Sequence, residues 1–300
     1  MDVGVVTWNT AELSVTALRA LIDTDQGCDL RVLVRDNASS DGTADAIGEA
    51  VPEADVEAGE RNLGFAAGMN RLIERSDAPW FFLLNPDAWP TPGAVGRLVA
   101  AAKAAPRAAA VAPKLVRPDG TLEHSTHPFP SLKVAATTAF AGRRLDPAAG
   151  DRMMLGGFWA HDRPRAVDWA VGAALLVRRE AIDDVGLLDE SFFMYVEDLE
   201  WCWRASRRGW EIRFAPEAVV VHVGNVSGSQ RYGDRRTATY MRNTYRFFRR
   251  EHGAVASGGY RALNVAGSAL GYARARLARD AGTAAYWRRE LAAHIPRRRP

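Results

Sequence analysis

The first 116 residues alternate between apolar runs of strand length and segments with helical spacing, and that rhythm leaves few folds open. Val3 to Trp8, Leu30 to Val34, a short run around Val56, Trp80 to Leu84 and Ala110 to Val116 read as strands. Between them, Ala11 to Ile22 sets Leu13, Ala17, Leu18 and Leu21 on one helical side. Ser39 to Thr43 opens a second helix, Gly64 to Glu74 reads as a third, and Pro92 to Ala105 as an alanine-rich fourth. Strands separated by helices pair in parallel and bury both faces. The expectation is an α/β fold: a Rossmann-like, mostly parallel central sheet flanked by helices.

The pattern loosens after Val116. Arg117 to Arg165 is rich in Pro, Gly and His and reads as a long excursion with room for a hairpin or a helix. Asp168 to Val177 reads as a strand, with Gly172 marking a close backbone approach. Arg179 to Val185 and Glu197 to Arg208 read as helices, the latter stopped by Gly209. Ile212 to Phe214 and Val219 to His222 read as short strands. From Asp234 the pattern is helical, with breaks near Gly258-Gly259, Gly282 and Pro296. The division expected is a domain at 1–235, with halves 1–116 and 117–235, and an Arg-rich helical extension at 236–300.

Composition narrows the partners. The net charge is only +3, yet thirteen arginines face three acids from Arg242 to the end. Such a tail suits an anionic lipid surface, an acidic substrate, or simply a solvated helical face. No zinc-finger, ribonucleoprotein or helix-turn-helix signature is present, which argues against nucleic acid. Cys28 and Cys202 are too few for a disulfide framework and read as reduced thiols. No basic leader precedes the first strand, and no run of eighteen apolar residues occurs. A cytoplasmic protein without a membrane-spanning helix is expected.

In open α/β sheets, ligands sit beyond the carboxyl ends of the strands. Thr7-Trp8-Asn9-Thr10, Asp36-Asn37 and Asn85-Pro86-Asp87 each follow such a strand. Any one of them alone reads as a turn or cap; three at one edge favour a polar ligand. Asp36 can accept from a ribose hydroxyl or a pyrimidine imide, whereas Asp41 reads better as a helix cap. The stretch from Asn62 through Gly64 and Gly68 to Asn70 has glycines that let backbone approach a ligand. It lacks Gly-Lys-Ser/Thr, and no Gly-x-Gly-x-x-Gly follows the first strand, which excludes a Walker loop and a dinucleotide fingerprint.

Asp87 suits Mg²⁺ or Mn²⁺ on a diphosphate, because phosphate oxygens and water fill most of that shell. His222, at the end of a valine run, could complete the shell or be a structural histidine. Glu197 and Asp198 open a helix, where the dipole stabilises either acid. Adjacent helical residues diverge, so one of the pair faces any reacting group. The surrounding Phe192, Phe193, Tyr195, Trp201 and Trp203 would desolvate a base there, or simply form core.

These segments together resemble glycosyltransferase family 2, the inverting nucleotide-sugar transferases of GT-A fold, and most closely the bacterial branch that contains rhamnosyltransferases. The resemblance runs from about residue 3 to 225. It rests on Val5-Val6-Thr7-Trp8-Asn9, Asp36 to Thr43, Asn62-x-Gly64-Phe65-x-x-Gly68-x-Asn70, Leu84-Asn85-Pro86-Asp87, Trp169-x-x-Gly172-Ala173, Tyr195-x-Glu197-Asp198-x-Glu200-Trp201-Cys202-x-Arg204, and His222.

It implies that Thr7 and Asp36, with Asn9, Asn62, Gly64 and Asn85, handle the donor nucleotide. It implies that Asp87 and His222 serve the cation and diphosphate, that Asp198 is the base with Glu197 in support, and that Trp169 and Gly172 line the acceptor side. Arg231 is read as part of a segment that closes on the diphosphate. Asn85 stands where the family has the first acid of Asp-x-Asp, so less charge holds the cation.

The donor implied is a dTDP- or UDP-sugar, with rhamnose or another deoxyhexose first. The acceptor classes are saccharide, lipid-linked or natural-product hydroxyls. A homodimer and peripheral contact with the inner face of a membrane remain open. The competing readings are a nucleotidyltransferase of the same sheet architecture, which lacks its glycine- and arginine-rich loop here, and a non-catalytic nucleotide- or carbohydrate-binding module.

Overall fold

The computed structural model describes residues 1–141, 145–224 and 232–295. The chain forms two compact units. The first comprises 1–127 and 161–230, the second 128–160 and 231–300. Residues 128–160, expected to belong to the acceptor half, therefore fall in the second unit with the C-terminal helices.

The first unit begins with β1 (Asp2–Thr7), α1 (Ala11–Ile22), β2 (Arg31–Asp36), α2 (Thr43–Ala50), β3 (Asp55–Ala58), α3 (Phe65–Glu74) and β4 (Trp80–Leu84). These strands stand in the order β3-β2-β1-β4, all parallel, as the alternation implies. Their central positions, among them Val5, Leu33, Val34, Phe82 and Leu84, are buried on both faces. Phe81 lies against Gly4, where an added Cβ would come within 2.5 Å of its ring. The parallel run then gives way to a mixed sheet. β5 (Ala88–Pro90), α4 (Ala94–Ala104), β6 (Ala108–Val116) and β7 (Leu122–Glu123) come next, followed by β8 (Thr126–His127).

In the second unit lie α5 (Leu132–Ala136), a π-turn at Thr137–Ala141 and α6 (Pro147–Arg152). The chain returns to the first unit as β9 (Arg165–Val167), β10 (Trp169–Ala170), β11 (Ala174–Arg178), α7 (Arg179–Val185), α8 (Glu197–Arg207) and β12 (Glu211–His222). β11 inserts antiparallel between β4 and β6, and β12 runs parallel to β6.

Two expectations change here. The single strand expected over Asp168–Val177 is broken at Val171–Ala173: β10 pairs with β8, and β11 joins the main sheet. The two short strands expected after Trp210 form one strand, β12, with a register shift between Ala215 and Val219.

β8 and β10 bring three histidines together. His127 stacks on Trp169 at 4.7 Å, and His124 packs edge-on against His127 at 4.5 Å and His161 at 4.7 Å. Burial, reinforced by the charges His124 and His161 would carry, pushes His127 down to about 3. Its folded pKa lies below the unfolded value near 6.5, so its share of stability is present above that pH and is lost on acidification. Each pH unit below about 6 then costs about 1.4 kcal/mol through this ring. Between pH 7 and 5, His127→Gln is expected to lose less stability than the parent by about 2 kcal/mol in denaturant titrations; parallel pH profiles would refute it.

The second unit continues through a 3₁₀ turn (Gly233–Arg235), α9 (Arg236–Leu277) and α10 (Ala281–Ala293). α9 is interrupted at Gly253, whose φ of 83° and ψ of 172° are non-helical, not at Gly258-Gly259. Gly259 faces α5, where an added Cβ would lie at an ordinary 3.5 Å from Leu132. Ala135, Met241, Tyr245, Phe248 and Tyr260 form this unit's core. His294 links Tyr245 (2.8 Å) to Ser268 (3.1 Å) within it.

Candidate active site

The register places the polar strand ends at one edge. Thr7 pairs with Asp36, Val5 with Leu84, Leu84 with Ala174, and Ala88 with His222. The loops that follow are stitched together there.

Asp36 is buried and already well satisfied. Its Oδ1 accepts from Thr7 Oγ1 (2.9 Å) and from the Ser39 hydroxyl, and its Oδ2 accepts from Ser39 N (2.8 Å). A carboxylate has about four acceptor positions, so one remains for a ligand. Thr7 is fully buried and its hydroxyl is spent on Asp36. Thr7 thus supports Asp36. Asn9, at φ 52°, accepts from Ser40 N at 2.8 Å and closes the loop after β1 onto the loop after β2. Asp41 accepts from Thr43 N (3.1 Å) and Ala11 N (3.2 Å), holding the starts of α2 and α1.

The glycine-bearing stretch has a different purpose from the one its spacing suggested. A Cβ on Gly64, at φ 85°, would sit 2.3 Å from the Phe193 carbonyl oxygen. Phe65 N donates to that same carbonyl at 2.8 Å. Asn62 Oδ1 accepts from Gly64 N at 2.9 Å, and Gly64 O accepts from Asn37 Nδ2 at 2.9 Å. The close approach expected between Asn62-Gly64 and a ligand is filled by the protein's own loop 186–196. Asn70 braces the same loop, donating to Leu188 O (2.9 Å) and accepting from Leu188 N (3.0 Å). From α8, Arg204 donates to Val185 O and Leu187 O, both at 2.6 Å, while pairing with buried Glu200. Trp201 Nε1 donates to Gly186 O at 2.8 Å.

Those braces hold strained backbone. Tyr195 (φ 70°) and Val196 (φ 82°) are both left-handed, and for a β-branched residue this costs about 1–3 kcal/mol. The turn delivers Glu197 and Asp198 at the first turn of α8. Asp198 Oδ2 accepts from Gly172 N at 2.9 Å, and its Oδ1 accepts from Leu199 N at 2.7 Å. Phe65, Leu83, Leu188 and Trp201 line a hollow beside it. Burial raises Asp198 above the usual carboxylate range, against the pull of its backbone hydrogen bonds. Burial, and then the charge of Asp198, raise Glu197 well above it, and Glu197 Oε2 is buried without a hydrogen-bond partner. Two such neighbours titrate as a pair.

Asp87 and His222 meet across the β5–β12 pairing. His222 Nε2 lies 3.3 Å from Asp87 Oδ1 and 3.4 Å from Asn85 Nδ2. Both Asp87 and His222 are buried. Glu123, on β7, holds His222 Nδ1 at 2.9 Å. Burial opposes charge on the ring, yet hydrogen bonds and charge from Asp87 and Glu123 overcome it and hold His222 up to about 9. Among the described residues no three His, Cys, Asp or Glu side chains form a cage for a metal ion. Asp87 Oδ1 suits a divalent cation whose remaining ligands come from a diphosphate and water, and His222 Nε2 could join it on giving up its proton.

The two clusters are joined at one point. Gly172 N binds Asp198, and the carbonyl of Ala173, the next residue, accepts from Asn85 N at 2.8 Å. Trp169, expected to line the acceptor side, is buried and stacks on His127. Gly172 remains beside Asp198. Arg231 lies outside the described residues. Glu123 escaped the sequence reading, although Pro118-Asp119-Gly120-Thr121 was a visible turn signal: Gly120 adopts φ 81° and Arg117 N donates to Thr121 O.

Known proteins share this arrangement of elements. An N-acetylglucosaminyl-diphospho-decaprenol L-rhamnosyltransferase of Mycobacterium tuberculosis is 32% identical over 246 residues, covering 74% of this chain and 75% of that protein. Among solved structures, the mannosyltransferase PcManGT from Pyrobaculum calidifontis, in complex with GDP-Man and Mn²⁺, superposes with a TM-score of 0.59 at 18% identity. That likeness covers 98% of this chain and 85% of the other. GalNAc-T7, solved with UDP, GalNAc and Mn²⁺, superposes with a TM-score of 0.54 at 13% identity, over 74% of this chain and 42% of that one. The fold is thus GT-A. The sequence model of glycosyl transferase family 2 matches residues 2–158, more than half the chain, and with the mycobacterial relative it establishes a rhamnosyltransferase-like glycosyltransferase that belongs to glycosyl transferase family 2.

Proposed function

We propose that this enzyme moves a deoxyhexose, rhamnose first, from a dTDP- or UDP-sugar to the hydroxyl of a lipid-linked saccharide, by one displacement that inverts the anomeric carbon. The observation that carries this reading is Asp198: an acid of raised proton affinity, fixed by the Gly172 amide, at the sheet edge that also holds Asp87 and His222. The relative's name supports the sugar and the lipid-linked acceptor.

In this reading Asp198 takes the acceptor hydroxyl's proton as that oxygen bonds to the anomeric carbon. The bond from that carbon to the diphosphate breaks, and its electron pair leaves with the nucleoside diphosphate. Glu197, holding its own proton, keeps a second negative charge out of the pocket. Asp87 and His222 would hold Mg²⁺ or Mn²⁺, which supplies positive charge to the leaving diphosphate. Glu123 fixes the His222 tautomer by taking the Nδ1 proton's hydrogen bond, leaving Nε2 toward Asp87. Asp36, supported by Thr7 and Asn9, offers its remaining acceptor position to the nucleoside. The segment 1–116 then handles the donor, and 117–235, through Gly172 and Asp198, the acceptor.

The test is nucleoside-diphosphate release from dTDP-rhamnose with a polyprenyl-diphospho-GlcNAc acceptor and divalent cation, with the product's anomeric configuration read by NMR. Acceptor-dependent release with inversion is expected. Retention of configuration, or release unaffected by every acceptor of this class, overturns the reading.

A further inference from the structure

The two units differ sharply in charge. Residues 128–160 and 231–300 carry twenty lysines and arginines against six acids, whereas the rest of the chain carries nineteen against thirty. The small net charge of +3 hides a strongly basic unit and a strongly acidic one. The basic unit also holds most of the large exposed hydrophobic residues among those described. Of seven large hydrophobic residues that are exposed among those described, six lie in it: Leu132, Phe140, Val255, Leu277, Tyr286 and Ile295.

Helical spacing orders these groups. Before the break at Gly253, Arg242, Arg246 and Arg249 recur at i, i+4 and i+7, and all three are exposed. After the break, Val255, Ala262, Ala266, Ala273 and Leu277 recur by sevens and fours on one side of α9. That side carries no charge for about 33 Å of helix. Ser257, Tyr260, Ser268 and Ala275 are buried on the other side. Val255 is 93% and Leu277 85% exposed, so neither is engaged by the fold. Arg274 and Arg276 flank the end of the uncharged side.

We propose that this unit docks on the surface of an anionic lipid bilayer, with the α9 arginines on headgroup phosphates and the side bearing Val255 and Leu277 at the acyl boundary. Arginine pairs with phosphate, and an uncharged helical side beside it lies in the interface plane. Exposed apolar residues among the arginines favour lipid over nucleic acid, which would need base-stacking or groove-reading elements. No helix of the described residues is long and apolar enough to cross a membrane, so the mode is adsorption. The inference rests on this unit's charge and exposure and is independent of which sugar is transferred.

Cosedimentation of the full chain with vesicles tests it. Binding is expected to phosphatidylcholine vesicles containing about one-quarter phosphatidylglycerol and not to pure phosphatidylcholine. Raising salt from about 0.1 M to about 1 M, which shortens the screening length from about 10 Å to about 3 Å, should release most of it. The triple variant Arg242→Gln, Arg246→Gln, Arg249→Gln and the double variant Val255→Asp, Leu277→Asp should each weaken partitioning at least about ten-fold. Both sets lie on exposed positions, so a donor-induced thermal shift like the parent's would show an intact fold and donor site. Absence of binding to the anionic vesicles, full binding by either variant, or capture by duplex DNA in preference to vesicles at equal salt overturns the proposal.

Discussion

Asp198→Asn is expected to lower kcat by about 10³-fold while the donor-induced thermal shift stays at the parent's value, because general-base catalysis contributes about 10²–10⁴. Asparagine keeps one oxygen for the Gly172 amide and gives up the hydrogen bond from Leu199 N, so the link to Gly172 is retained. What it loses is the capacity to take a proton. The neighbouring Glu197→Gln makes the test sharper. Burial and that neighbour's charge raise Glu197, and in the proposed mechanism it holds a proton that glutamine's amide imitates. Glu197→Gln should therefore stay within about ten-fold of the parent. The pH profile carries a sign as well. A base raised by burial is protonated at a higher pH than a free aspartate, so kcat/KM should fall on acidification before pH reaches about 3.9. Near-normal turnover by Asp198→Asn, or an equal loss in Glu197→Gln, would remove Asp198 from the role of base.

Much of this site was legible because apolar runs announce their own ends. β1, β2 and β4 are buried on both faces, and the polar residues that follow, Asp36 and Asn85 to Asp87, could only gather at one edge. His222 was legible for the same reason. What stayed hidden was set by distant partners. Nothing local to Gly64 says that its close neighbour is Phe193, nor that Asn70 braces Leu188. Spacing reports that backbone must come near something, and here that something is the loop leading to Asp198. That Thr7 donates its hydroxyl proton to Asp36 was likewise not visible in the strand's own residues. Glu123 sits on a strand of two residues, too short to show any period, and β5 is only Ala88–Pro90. The joining of 128–160 to the C-terminal helices is likewise a long-range event, carried by the packing of α5 on α9 and not by the composition of either segment.

Asp87→Ala is expected to weaken Mn²⁺ binding in the presence of nucleoside diphosphate by at least about 100-fold, read from free Mn²⁺ by electron paramagnetic resonance, and to abolish turnover with it. With Asn85 neutral, Asp87 is the one carboxylate this strand end offers, and its Oδ1 faces His222 Nε2 at 3.3 Å. Removing it leaves His222 paired with Glu123 alone, an imidazole without the hard oxygen that Mg²⁺ or Mn²⁺ prefers. Glu123→Gln should sit between, at about 10–100-fold weaker binding, because glutamine can still accept from Nδ1 but without charge. Asp198→Asn, remote from these donors in its hydrogen bonds, should bind Mn²⁺ as the parent does. The graded order separates a cation held by Asp87 and His222 from a fold that merely suffers when buried charges are cut: general destabilisation would depress Asp198→Asn as well, and would leave Mn²⁺ affinity unchanged in whatever fraction remained folded. Parental Mn²⁺ affinity in folded Asp87→Ala would move the cation away from this strand end altogether.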